Sequence, residues 1–503
     1  MNYLKIRISL FFVLLIIFVQ AKQDSLNYQI DLSKAKENTF VVKLNYKSNH
    51  TGVEDFMISK WTPGYYQILD FDKNISNIKC NNSKNEAKDI TKFTDNTWRI
   101  ATKKGEELTI TYEVNAKTNF IAKPYIDSEF AFVRPTGVFI FPASDLQVSS
   151  KVKFINNPWK NITTSLKKIN NSYNAVNIDD LLDSPILIGN LNILDSFQVK
   201  GKNHYFSGRQ LDDFDTKDFI ISVKKIVETA TDIMQDIPYD DYSFISIGKG
   251  NGGIEQTNST ALTLNGELYN TPQGKQKLLN FITHEYFHHF NVKRIRPVEL
   301  GPFNYSGINR TNSLWVSEGL TVYYEGIIMN RAGLKSREQM LNEWTGMINR
   351  FESNEGKHFQ TLAESSAHTW EDGPFGIKGK TISFYEKGPL VGMLLDLTIR
   401  HNTQNKKSLD DVMRKLYYTY YKGENRGFTE NEVKKACEEF AKQDLSEIFS
   451  YIYTLEPINY NKYFEFAGLK VNSTTKDGKT VYEISALAKT NSLQKEINKD
   501  LFR

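Results

Sequence analysis

A chain of 503 residues that is 40% hydrophobic and 13% aromatic can bury more than one core, and its composition is that of a globular protein rather than a disordered one. Its two cysteines, Cys80 and Cys437, exclude a disulfide scaffold and read as small buried apolar groups. The formal charge of +4 becomes +2 without Lys5 and Arg7 of the N-terminal segment, and no basic stripe marks a nucleic-acid partner.

MNYLKIR is a short basic opening, ISLFFVLLIIFV is an apolar run of twelve residues, and Val19-Gln20-Ala21 ends it with small residues. The pattern predicts a signal peptide over 1–21 and export to a periplasm or the exterior, with a retained N-terminal membrane anchor as the alternative. The run is short for a span and no other long apolar run follows, so no membrane span is expected in the mature chain.

From 22 to 205 the chain predicts a β-domain of sandwich type. NTFVVKLNY, TWRIATKK, ELTITYEVNA, EFAFVRPTGVFIF and VSSKVKF are rich in β-branched and aromatic residues, with turn-forming clusters between them. WTPGYY, at 61–66, reads as a turn whose Pro63 and Gly64 serve backbone shape. The character changes near 213. DTKDFIISVKKIVETATDIMQDI has helical apolar spacing, YSFISIGKGNGGIEQ reads as a strand entering a glycine-rich stretch, and GKQKLLNFITHEYFHHFNVK reads as a helix from 274. SLWVSEGLTVYYEGIIMNRAG is a second helix ending at Gly333. These elements place a mixed domain over 206–333. Helical patterns near 335–352, 380–400, 407–421 and 428–453 place a helical domain over 334–457, and 458–503 reads as a short β-rich tail. The fold class expected is multi-domain α+β.

Three of the eight histidines fall within 284–289. His284 and His288 share a helix face one turn apart and Glu285 lies between them, the H-E-x-x-H arrangement in which two imidazoles hold zinc beside a carboxylate. A catalytic zinc takes three protein ligands and keeps one position open. Glu318 offers the third, because a carboxylate among Leu314, Trp315, Val316, Leu320 and Val322 is rarely buried unless paired or metal-bound. His289 points about 100° away and reads as a packing residue.

HEYFHHFNVKRIRP, WVSEGLTVYYEG and FYEKGPLVGMLLDLTIR together resemble the glycyl aminopeptidase family of zinc metallopeptidases, gluzincin relatives of aminopeptidase N. WTPGYY resembles part of that family's N-terminal β-domain. The resemblance runs from about 26 to 470 and implies a thermolysin-like catalytic domain over 206–333. It implies one zinc ion per chain on His284, His288 and Glu318, Glu285 as general base, and Tyr385 as a donor to the developing oxyanion. GNGGIEQ resembles the loop in which a glutamate grips the substrate's free α-amine. Glu255 would take that role, with Gly252 and Gly253 letting the substrate backbone approach. The implied activity is removal of N-terminal Gly or Ala from peptides with a free N-terminus. Gln256 departs from the His or Asn of relatives. The family often carries a C-terminal PDZ domain, and the tail 458–503 reads as a truncated remnant of one. A zinc endopeptidase of the same fold and a non-catalytic peptide-binding protein on the same scaffold are the alternatives; a role for Glu255 at the α-amine separates the first of these from an aminopeptidase. The sequence carries no reading of oligomeric state.

Overall fold

The structure, a computed structural model, describes residues 25–250, 252–476 and 478–503; the signal peptide expected over 1–21 lies outside them. The N-terminal part is β-rich. Thr39–Lys47 alternates buried Phe40, Val42, Leu44 and Tyr46 with more exposed residues, and it pairs antiparallel with Glu107–Asn115 over its whole length, Thr39 opposite Asn115 and Lys47 opposite Glu107. These strands belong to an eight-stranded sheet, in which Leu26–Asp31 pairs antiparallel with Thr39–Lys47 and parallel with Ser150–Ile155. Two four-stranded sheets, one with Gly52–Met57 against Thr97–Thr102 and one with Phe130–Val133 against Ile186–Gly189, complete this part. The buried hydroxyls of Tyr28 and Tyr112 donate to the main-chain carbonyls of Ile140 and Val138, so these two tyrosines leave no orphaned donor.

A second sheet follows. Lys202–Gly208, Asp241–Ser246 and Ser259–Leu262 run parallel, and Gly253–Glu255 lies antiparallel on the edge beside Ser259–Leu262. The helix Thr216–Met234 crosses over between the first two strands, as parallel pairing requires. Asp215 caps it by accepting from the Asp218 amide, and Phe219, Val223, Ile226, Val227 and Ala230 form its buried stripe.

The remaining chain is largely helical, and the helix Phe384–Asn402 is its axis. Nearly every residue from Lys387 to Arg400 is buried, so this helix is apolar all round rather than striped. Its one buried carboxylate, Asp396, takes the Arg400 Nε–H (2.9 Å), the Tyr323 hydroxyl (2.6 Å) and the Leu409 amide (2.6 Å). The tail holds the expected strands, Leu469–Lys476 paired with Lys479–Ala486, and also a helix, Ser492–Leu501, that the sequence reading missed. Its apolar signal is short, and its burial is tertiary: Ile497 and Leu501 are enclosed and Phe502 packs 5.2 Å from Trp344 between ring centroids. The hairpin is tied down as well, Asn349 bonding both the amide and the carbonyl of Tyr482. Among the described residues no helix is long and apolar enough to cross a membrane.

Replacing Asp396 with Ala would leave the Arg400 guanidinium, the Leu409 amide and the Tyr323 hydroxyl without their shared acceptor inside the core. A loss of about 3–5 kcal/mol in unfolding free energy is expected, read by denaturant titration.

Candidate active site

The helix Pro272–Phe287 carries the histidine motif on its last turn. Pro272 sits in the first turn, where no amide donor is needed, and Thr271 caps it by accepting from the Gly274 amide. The regular helix ends at Phe287, six residues before the sequence pattern suggested, because the chain tightens into turns that bring Asn291 inward. The Asn291 carbonyl accepts from His288 Nδ1 (2.7 Å), while its side-chain amide donates to the Val316 carbonyl (2.8 Å), the Ser317 carbonyl (3.2 Å) and the Thr321 hydroxyl (3.0 Å). One asparagine thus couples the end of the histidine helix to the segment bearing Glu318. Sequence reasoning passed over it, since nothing local distinguishes it from a turn residue.

Glu318 lies on a wide helical turn, Trp315–Gly319, with five-residue hydrogen-bond spacing, which runs into the helix Leu320–Arg331. Such turns rotate one side chain out of register with its neighbours and recur at functional sites. The next residue explains the placement. A Cβ on Gly319 would lie 2.6 Å from the Gly388 Cα, and one on Gly388 would lie 2.8 Å from the Gly319 Cα. The two helices therefore touch backbone to backbone, and Glu318 and Tyr385, each three or fewer residues from the crossing, come to one cleft.

His284 Nε2 and His288 Nε2 are 2.9 Å apart, and Glu318 Oε2 lies 3.5 and 3.2 Å from them. A tetrahedral ion with bonds of about 2.0 Å holds its ligand atoms about 3.3 Å apart, so the three atoms fit one metal. Glu318 Oε2 is buried and accepts no hydrogen bond, as a ligand atom should. The His288 Nδ1 bond to a main-chain carbonyl leaves its Nε2 lone pair for the ion, and Glu325 Oε2 stands 3.7 Å from His284 Nδ1 on the outer side. Glu325 was not singled out from sequence, though it lies seven residues after Glu318 on the same helical run. The charges lead to the same conclusion. Burial presses the His288 pKa down, but the Glu318 carboxylate holds it up at about 10, while burial and His288 lower His284. Burial opposes ionisation of Glu318, and the two histidines nonetheless keep it far below the usual carboxylate range. Positive charge beside the Glu318 carboxylate is thus favoured, and the three residues form a group that could hold a metal ion.

Glu285 faces the edge strand of the second sheet. A Cβ on Gly253 would fall 2.3 Å from the Glu285 Cδ, so only glycine leaves room for the carboxylate. Burial first, then the Glu255 and Glu318 charges, push Glu285 up to about 8, against a downward pull from His288. Glu255, on the same edge strand, is 4% exposed, and no side chain among the described residues hydrogen-bonds its carboxylate. Burial and Glu318 raise its pKa, with His288 and Lys293 opposing. Gln256 turns the other way, donating to the Ile254 carbonyl and accepting from the Ala261 amide, so it braces the strand instead of facing the cleft. Gly252 has φ +136°, a conformation that favours glycine, and lines a cleft of about 690 Å3 together with Gly253, His284, Glu285, Phe375 and Tyr385. The Tyr385 ring lies 6.0 Å from that of His284, and burial together with Glu318 keeps its phenol protonated. His289 is buried among the rings of Tyr239, Tyr242 and Tyr286, away from the three ligand atoms.

All eight residues singled out from sequence thus border one region, and the comparisons place the chain among known proteins. The Peptidase M61 N-terminal domain matches residues 27–190 and the M61 glycyl aminopeptidase matches residues 277–391, together more than half of the chain. The chain belongs to the M61 glycyl aminopeptidase family. It is thereby a peptidase. Among solved structures, an aminopeptidase N family protein from Idiomarina loihiensis is 24% identical with a TM-score of 0.83, the match covering 89% of this chain and 79% of that one. Aminopeptidase A of Legionella pneumophila, solved with aspartic acid, gives 13% and 0.53, covering 85% and 49%. The M1 zinc metallopeptidase of Deinococcus radiodurans gives 10% and 0.52, covering 87% and 95%. These likenesses show a shared fold. No curated protein sequence matches the chain.

Alanine in place of an exposed helical glycine stabilises by about 1 kcal/mol. At Gly319 the sign reverses: Gly319→Ala forces the two helices apart and is expected to cost about 1–3 kcal/mol, measured as a fall in thermal stability relative to the parent.

Proposed function

We propose that the protein is a zinc-dependent aminopeptidase that removes N-terminal Gly or Ala from peptides. The observation that carries the reading is Glu255: a buried carboxylate that no side chain among the described residues hydrogen-bonds, on the edge strand that also borders Glu285. A buried charge of this kind needs a counter-charge, and the α-ammonium of a peptide supplies one. An endopeptidase would have no cation to place there.

In this reading His284, His288 and Glu318 hold the zinc, which when bound acidifies a water and polarises the scissile carbonyl. Glu255 fixes the amine and so sets which peptide bond reaches the centre. The outward edge of Gly253–Glu255 offers main-chain donors and acceptors to an extended peptide. Glu285 accepts the proton released by the attacking water and delivers it to the leaving amine. A dication beside Glu285 favours its ionised form over the neutral form that burial alone prefers, and so readies it as an acceptor. Tyr385 donates its phenolic proton in a hydrogen bond to the oxygen that gains charge. The open cleft beyond Glu285 receives the leaving peptide. Support comes from the fit of the three ligand atoms, the family match and the fold shared with an M1 zinc metallopeptidase.

The test is hydrolysis of aminoacyl-anilides, free and N-acetylated, with and without a zinc chelator. Chelator-sensitive release from free Gly or Ala substrates alone is expected, and cleavage of blocked or internal bonds would replace this reading with an endopeptidase. Glu255→Ala should abolish release from free-amine substrates while zinc content, measured by atomic absorption, stays at one per chain. Tyr385→Phe removes one donor to the developing charge and should lower kcat by about 10²-fold with little change in KM.

A further inference from the structure

The loop WTPGYY belongs to the β-rich N-terminal part, and the structure sets it against Glu255. Gly64 has φ +90°, and a Cβ there would lie 2.6 Å from Glu255 Oε2 and 2.9 Å from Ile254 Cγ2. The loop is held rigidly. Trp61 is fully buried, its indole donates to the Asn304 carbonyl (2.9 Å), and its ring packs edge-on against Phe303 and Trp370. Thr62 bonds the Ala122 carbonyl and the Thr136 hydroxyl, and the Tyr65 amide closes the turn onto the Thr62 carbonyl. Tyr66 is buried with its ring stacked on Trp61, and its hydroxyl hydrogen-bonds no group among the described residues.

What remains beside Glu255 is small. Pro63, Gly64, Tyr66 and Glu255 border an enclosed cavity of about 20 Å3, room for about one water, which Lys293 and Arg296 and the apolar Val292, Leu300 and Phe303 close from the other side. The cleft past Glu285 is more than thirty times larger. A peptide whose amine reaches Glu255 has ample space for its leaving part in the cleft, while its first residue comes up against the 61–66 loop, which stands directly on the Glu255 carboxylate. We infer that the 61–66 loop is the size filter for that first residue, with Pro63 and Tyr66 as the wall that excludes any side chain much larger than a methyl group. The inference rests on the amine-binding role of Glu255 proposed above. It adds that selectivity comes from a part of the chain that carries neither the metal ligands nor Glu285.

The experiment compares Gly-, Ala- and Leu-anilides across the zinc-loaded wild type, Tyr66→Ala, Tyr66→Phe and Pro63→Ala. A hydrophobic pocket discriminates about 10–200-fold per methylene, so Tyr66→Ala should raise the Leu/Gly ratio of kcat/KM by at least about tenfold, chiefly through the KM for Leu. Tyr66→Phe keeps the ring and should keep the wild-type ratio. An unchanged ratio in folded Tyr66→Ala and Pro63→Ala, or a wild type that cleaves Leu as readily as Gly, overturns the filter while leaving the aminopeptidase reading intact. If Tyr66→Ala does not fold, Pro63→Ala decides alone, by the same ratio. A wild type that releases nothing from any free-amine substrate overturns the functional reading itself, and the filter with it.

Discussion

The site depends on one close approach. Gly319 and Gly388 let two helices meet at their backbones, with no side chain between them. Glycine in a helix weakens it, so a pair of them at one crossing marks a distance that had to be reached. That distance sets Glu318 against the histidine turn and Tyr385 over it. Asn291 then locks the arrangement from the other side by binding both His288 and the wide turn that bears Glu318. A shift of either helix by the width of a methyl group would be felt by all three ligand atoms.

Charge is the second constraint. Glu255, Glu285 and Glu318 are each at most 6% exposed, and burial first, then their mutual repulsion, raises the pKa values of the first two. Three carboxylates buried close together are unfavourable, and the histidines offset that cost at Glu318. His288 and Lys293 attract the Glu255 carboxylate, and His284 and His288 that of Glu318.

Much of this was legible in the chain. His284, Glu285 and His288 follow from helical spacing, and Glu318 stands out as an acid in apolar surroundings. The alternation in 38–46 predicts its strand, and the apolar run after Phe384 predicts its helix. What was not legible is long-range. WTPGYY reads as a turn and is one, but nothing near residue 64 signals that residue 255 will stand against it. Gly253 reads as backbone freedom, whereas the structure gives it a steric reason, the Glu285 carboxylate above it. The helix Ser492–Leu501 escaped because its two enclosed residues acquire their burial from tertiary packing, on the turn Glu465–Ala467 and on the helix Phe384–Asn402.

The anchoring of Trp61 to Asn304, nearly two hundred and fifty positions later, has a consequence for biosynthesis. A chain emerging from its N-terminus presents residues 61–66 first, Glu255 much later, the histidine turn after that, and Gly388 last among the parts of the site. No early segment holds a finished cleft. The cleft is complete only once the Gly319–Gly388 crossing has closed.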